Sequence, residues 1–230
     1  MDKIFTKNIE HESAVKHVTG KAIYTDDISE PKNLLHAVIG YSNCSKGVIK
    51  KIDYKDVLSS EGVVDIITEK DIEGINDVGP IFKGDKIFTS KNIEYYGQPI
   101  FAVIAKTNNL AKKAALKVKI DLKISKPIVS IEEALKKKSF VLKPKHLTRG
   151  NIKDGFKRSD NFLKGKLYSG GQDHFYLEGQ IAMTIPQEDN NFLVYSSTQH
   201  PSETQQIIGK VLKQNYNSIH VIVRRIGGGF

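Results

Sequence analysis

The chain has 230 residues and a mass of 25.7 kDa, enough for one large domain or two small ones, and its 39% hydrophobic and 27% charged residues exclude disorder by composition. No apolar run approaches the roughly 18 residues that cross a bilayer, and residues 1–10 (MDKIFTKNIE) lack the apolar core of a signal peptide, so no membrane is expected and the chain is expected in the cytoplasm. The single cysteine, Cys44, excludes a disulfide framework, a multi-cysteine zinc site and an iron–sulfur cluster built from these residues.

In chain order, Leu34–Ser42 and Val48–Tyr54 read as strands. A short helix over Asp56–Ser60 is predicted to end with Gly62 in the C′ position, and Val63–Thr68 to follow as a buried strand. Pro99–Ala105 (PIFAVIA) is a continuous apolar run of strand length, expected at the centre of a sheet. Thr107 is a candidate N-cap for a helix with Leu110, Ala111, Ala114 and Ala115 on one face, and residues 116–124 return as an edge strand to complete a strand–helix–strand unit. An α+β domain over residues 15–125 follows from this order. Residues 126–150 read as a connector, with Ser130 and Glu133 as a capping box. Beyond it, Asn161–Tyr168, Glu178–Ile185, Phe192–Ser197 and Ile219–Ile226 are strand candidates, Pro186–Asn191 a turn, and Ser202–Lys213 an amphipathic helix.

The net charge of +9 invites a nucleic-acid reading. Residues 110–150, however, hold eleven lysines and Arg149 against Asp121, Glu132 and Glu133, so this stretch carries the whole excess. Lys117, Lys119 and Lys123 alternate with apolar residues as the solvent face of a strand, and Lys136–Lys138 suit a helix C-terminus. No aromatic residues interleave them as a stacking surface, so no nucleic acid is expected. The alternative is a stand-alone, non-enzymatic interaction module whose basic connector grips an acidic partner or nucleic acid.

Three segments carry more specific information: Val18–Ile28 (VTGKAIYTDDI), Gly97–Ala105 (GQPIFAVIA) and Gly170–Glu178 (GGQDHFYLE), the last continuing through a long block to the terminal RRIGGGF. In order and spacing they resemble the xanthine dehydrogenase/aldehyde oxidase family of molybdenum hydroxylases, in particular the molybdopterin-binding large subunit of the bacterial xanthine dehydrogenase type. The resemblance implies an α/β hammerhead domain over residues 15–125, a connector over 126–150, and the start of a molybdopterin-binding α/β domain over 151–230. It implies hydroxylation of purines (hypoxanthine or xanthine to urate) or aldehydes with oxygen from water. Electrons would leave through iron–sulfur clusters and FAD on a partner subunit to NAD. The chain is expected to be an N-terminal fragment, inactive alone, with the general base beyond Phe230 and no catalytic residue of its own.

Residue by residue, Gln172 comes first. On spacing alone it is a polar residue in a Gly-Gly turn. The resemblance makes it a hydrogen-bond donor to an oxo ligand of molybdenum, not a direct ligand, because a neutral amide donates without adding charge. Gly170 and Gly171 would let the backbone approach the cofactor. Gly228, Gly229 and Phe230 match the start of the family's glycine-rich turn beside the metal and its pterin. Asp173 stands where the family more usually has glutamate. Asp173, His174 and Glu178 suggest acid–base or metal chemistry, but beside a strand a structural role is expected. His200, before Pro201, reads as a helix-approach residue, and Cys44 as inert. The seven histidines show no ligand spacing, and in this family the metal is held by the pterin dithiolene.

Overall fold

The structure, a computed structural model, describes residues 10–229. It divides into two compact units, one formed by the chain up to Ser125 together with the chain from Tyr176, the other by Lys126–Phe175.

The first unit begins with a short helix, α1 (Ala14–Val18), and a 3₁₀ turn over Thr25–Asp27. The Asp27 carboxylate closes that turn by accepting the Tyr24 N–H at 2.9 Å. Then follow β1 (His36–Tyr41), β2 (Gly47–Asp53), α2 (Lys55–Leu58), β3 (Val63–Ile67), β4 (Asn92–Ile93), β5 (Pro99–Ala105), α3 (Asn108–Ala115) and β6 (Lys119–Ile124). Two antiparallel three-stranded sheets result, in the orders β1-β5-β3 and β4-β2-β6. The apolar run of β5 takes the central place predicted for it, with Phe101, Val103 and Ala105 wholly buried. Phe101 is paired in register with Gly40 of β1, and a Cβ at Gly40 would lie 2.2 Å from the Phe101 ring. Only glycine leaves room there. The Tyr54 ring meets Phe101 edge-on, with centroids 5.3 Å apart. Thr107 caps α3 by accepting the Leu110 N–H at 3.3 Å, and Ala111 and Ala114 face the core.

Several expectations change. β3 is not a buried strand: it pairs on one side only, with β5, and Val64, Asp65 and Ile67 are exposed. The helix before it stops at Leu58 with Ser59 as its cap. Gly62, at φ +72°, serves a later turn against Leu110 rather than the C′ position. β5 and β6 do not form a strand–helix–strand unit within one sheet, because α3 carries the chain across to pair β6 with β2. On β6 the predicted alternation holds, with Lys119 and Lys123 outward and Ile120 and Leu122 half-buried. Lys119 pairs with Asp56 at 2.6 Å.

The second unit, Lys126–Phe175, contains α4 (Ile131–Lys136) and α5 (Ile152–Arg158). Ser130 caps α4 by accepting the Glu133 N–H at 3.2 Å, but the Glu133 carboxylate pairs forward with Lys137 at 2.7 Å rather than completing a capping box. The strand predicted over Asn161–Tyr168 is absent; those residues have no regular structure, and the helix lies just before them. No residue of this unit is buried.

The chain then rejoins the first unit. β7 (Ala182–Pro186) and β8 (Phe192–Ser196) form a hairpin, α6 (Pro201–Leu212) follows, and β9 (Ile219–Ile222) lies parallel to β8. The hairpin turn uses Asp189 and Asn190 at φ +55° and +56°, a conformation these short polar side chains tolerate. The Gly74 and Ile75 amides donate to Val211 and Lys210 carbonyls at the end of α6, at 2.9 and 3.0 Å. A Cβ on Gly74 would stand 1.9 Å from the Lys210 carbonyl oxygen, so this junction also needs glycine. In fold class the molecule is mixed α and β, as predicted.

Candidate cofactor-contacting site

Gly170, Gly171 and Gln172 lie in the second unit, in a stretch without helix or strand, and all three are exposed. A Cβ built on either glycine meets nothing within 4 Å, so the backbone there is open to close approach. Asp173 is engaged locally, its carboxylate accepting the Phe175 N–H at 3.4 Å, and Phe175 takes a left-handed φ of +49°. Gly228 and Gly229 belong to the first unit. A Cβ on Gly229 would come within 3.0 Å of both the Gln199 side chain and Ile226. Phe230 lies outside the described residues.

The glycine triplet has a built foundation. The Leu177 N–H donates to the Gly227 carbonyl at 2.9 Å, and a Cβ on Gly227 would strike the backbone nitrogen of Glu178 at 2.2 Å. Glu178 is 9% exposed, and its Oε1 accepts the Thr25 N–H at 2.8 Å. Arg225, two residues before Gly227, donates from its guanidinium to the Ile23 carbonyl. Pieces of the first and third marked segments and of the terminal run thus meet: Ile23 and Thr25 from the first, Leu177 and Glu178 from the third, and Arg225 and Gly227 from the terminal run. The sequence reading reached a structural role for Glu178 but not this convergence, since hydrogen bonds 153 and 202 residues apart leave no local periodicity. Gln199 was missed for the same reason; its neighbour His200 is the N-cap of α6, accepting the Glu203 N–H at 3.2 Å, as its place before Pro201 suggested.

Among the described residues, no group of three or more His, Cys, Asp or Glu could hold a metal ion. Cys44 is buried in the core beside Ile49 and Ile93. The groups at the candidate positions are neutral amides and glycine backbone, donors suited to the oxo and phosphate oxygens of a cofactor rather than to metal ligation. In donor chemistry they fit a cofactor that brings its own metal ligands.

Residues 19–126 match the family described as aldehyde oxidase and xanthine dehydrogenase, a/b hammerhead domain, and residues 133–230 the molybdopterin cofactor-binding domain. Over 98% of its length the chain is 37% identical to a xanthine dehydrogenase of Dictyostelium discoideum, of which it covers 16%. Over 96% it is 38% identical to aldehyde oxidase 1 of Bos taurus, of which it covers 17%. Among solved structures, the aldehyde oxidoreductase from Desulfovibrio gigas superimposes with a TM-score of 0.80 at 25% identity, over 95% of this chain and 26% of that one. Quinoline 2-oxidoreductase from Pseudomonas putida 86 reaches a TM-score of 0.81 at 19% identity over 96% of this chain and 30% of that one, a likeness of fold. The chain belongs to the xanthine dehydrogenase/aldehyde oxidase family of molybdenum hydroxylases. It spans about a sixth of the length of these curated relatives, at 16–17%.

Proposed function

We propose that this chain supplies the hammerhead and the leading part of the molybdopterin-binding region of a xanthine dehydrogenase-type hydroxylase. The substrate is a purine, hypoxanthine or xanthine. The observation that carries the reading is the succession, in one chain, of a hammerhead match over 19–126 and a molybdopterin-binding match over 133–230. Bound molybdenum–molybdopterin would supply the redox chemistry that inserts water-derived oxygen. Of this chain's residues, Gln172 would donate a hydrogen bond to an oxo group, while Gly170, Gly171, Gly228, Gly229 and Phe230 would be the residues to approach the bound cofactor. Iron–sulfur clusters and FAD sit on a partner subunit, as in the bacterial type, and NAD is the acceptor. With one buried cysteine, these residues offer no thiolate set for a cluster. The location is cytoplasmic; among the described residues no helix is long and apolar enough to cross a membrane.

Aldehyde oxidation is the second reading, favoured by the equal likeness to aldehyde oxidases, 38% identical for the bovine one against 37% for the Dictyostelium xanthine dehydrogenase. The test is to express the chain in a molybdopterin-producing host, alone and within the assembled enzyme, and to measure bound pterin, molybdenum, and NAD reduction with xanthine and with an aldehyde. The reading expects pterin to be retained and to be lost from Gln172→Ala, with xanthine turnover in the assembly and none by the chain alone. Pterin-free protein from the assembly overturns it, and aldehyde turnover without xanthine turnover selects the second reading.

A further inference from the structure

The meeting of Ile23–Thr25, Leu177–Glu178 and Arg225–Gly227 is denser than packing alone requires. A buried carboxylate is costly unless it is hydrogen-bonded and compensated. Glu178 spends one oxygen on the Thr25 amide, while its Oε2 is buried with no partner. Arg225 shows the complementary state: the guanidinium reaches the Ile23 carbonyl, and its Nε is buried with no partner. One spare acceptor and one spare donor thus belong to side chains anchored at backbone groups two residues apart, Thr25 and Ile23. Gly227 presses on the backbone of Glu178 with no room for a Cβ, and its carbonyl is held by Leu177. The backbone leading into Gly228 and Gly229 is thus fixed beside Glu178 and just after Arg225, the two residues that grip Thr25 and Ile23.

We infer that Glu178 and Arg225 are positioning residues that clasp the Ile23–Thr25 segment to the root of the glycine triplet and so set the path of Gly227–Gly229. Their relevance to the cofactor rests on the reading proposed above; the clasp itself does not. Glu178 acts by holding the Thr25 amide with its side chain and packing its backbone against Gly227, and touches no reacting atom. Arg225 holds the same segment at its other end, through the Ile23 carbonyl.

Amide hydrogen exchange on the 230-residue chain tests the clasp, because it reads each hydrogen bond separately. Glu178→Ala is expected to speed exchange of the Thr25 amide roughly tenfold or more, and that of the Leu177 amide, which is bonded to Gly227 and not to Glu178's side chain, by a similar factor. Glu178→Gln keeps the shape and an acceptor oxygen, and should restore both. Thr25→Pro removes the donor from the opposite side at the first position of a 3₁₀ turn, after an extended Tyr24 that tolerates a following proline, so it serves if the alanine variant fails to fold. It too should speed exchange at Leu177. A Leu177 amide unmoved in both variants, with acceleration in Glu178→Ala confined to Thr25, overturns the inference and leaves Glu178 a local cap. Coupled exchange in a chain whose pterin retention is the same with and without the clasp supports the clasp and overturns its link to the cofactor.

Discussion

The neighbourhood of β5 and the segment 126–175 both hold large apolar side chains, and only the first buries them. Phe101, Ile100 and Val103 are covered because β5 is paired on both edges and roofed by α3. In 126–175, Val141, Leu147 and Leu163 are fully exposed, at 100–101%. No strand forms there, and two short helices cannot enclose one another's apolar faces. The Phe156 and Phe162 rings meet edge-on at 6.5 Å, yet both remain exposed. Apolar content alone therefore does not make a core; non-local pairing does. The comparison also divides the candidate site. Gln172 with its two glycines is carried by the region without a core, whereas Gly228 and Gly229 stand on the region that has one.

The sharpest way to break that contrast is to truncate one side chain in each region. Phe101→Ala should cost about 3–5 kcal/mol, since the ring is wholly buried against Tyr54 and Gly40. Leu163→Ala should stay within about 0.5 kcal/mol. Urea unfolding followed by circular dichroism compares them, and equal losses would mean that 126–175 has a hidden core. Next in size is the response to a protease. Trypsin should cut first at Lys145 or Arg149, which are exposed and outside any element. Lys119, held by Asp56 within a paired strand, should be cut much later. Fragment masses over time give the order, and early cleavage within β6 would contradict it.

How much of this was legible beforehand depended on the range of the interactions. PIFAVIA announced a central strand because every residue was apolar, and Thr107 announced a helix because capping is local. The apolar residues of Val63–Thr68 gave no sign of an edge, since edge position is decided by which strands pair elsewhere. The Asn161–Tyr168 run looked like a strand by composition but finds no neighbour to bond with. At the candidate site the identities of Gln172 and the glycines came from resemblance. The support under Gly227 could be seen only once Thr25 and Glu178 were brought together. Its trace in the sequence was the specificity of the first and third marked segments, which no single element required.

A smaller effect is expected at high pH. Burial, with the nearby Asp71 charge second, pushes the Tyr54 hydroxyl up to about 12 from 10.0. Because the folded-state value is raised, the contribution is fully present below pH 10 and is lost as pH rises toward about 12. Tyr54→Phe should flatten the fall in thermal stability across that window. An unchanged slope would remove Tyr54 from the account.

The smallest effect falls at low pH, and it too separates the two regions. In the cored unit, a hydrogen bond from Lys119 lowers Asp56, one from Ser90 lowers Glu69, one from Thr68 lowers Asp71, and the Gly84 and Gly79 amides lower Asp77. In 126–175 the corresponding case is Glu133, lowered by Lys137. A carboxylate depressed in the folded state contributes stability above its ordinary value and loses it as pH falls through the folded one. Acid unfolding below about pH 4 should therefore draw mainly on the cored unit. Asp77 is the most direct probe, because its two oxygens accept the Gly79 and Gly84 amides at 2.8 and 2.6 Å and close one loop. Asp77→Asn keeps one acceptor but presents an amide group to the other N–H, so it should lower stability near neutral pH and make the acid limb shallower. Glu133→Gln should leave that limb almost as steep as before. A shallower limb from Glu133→Gln but not from Asp77→Asn would place the acid sensitivity in 126–175 and reverse the ranking of the two regions.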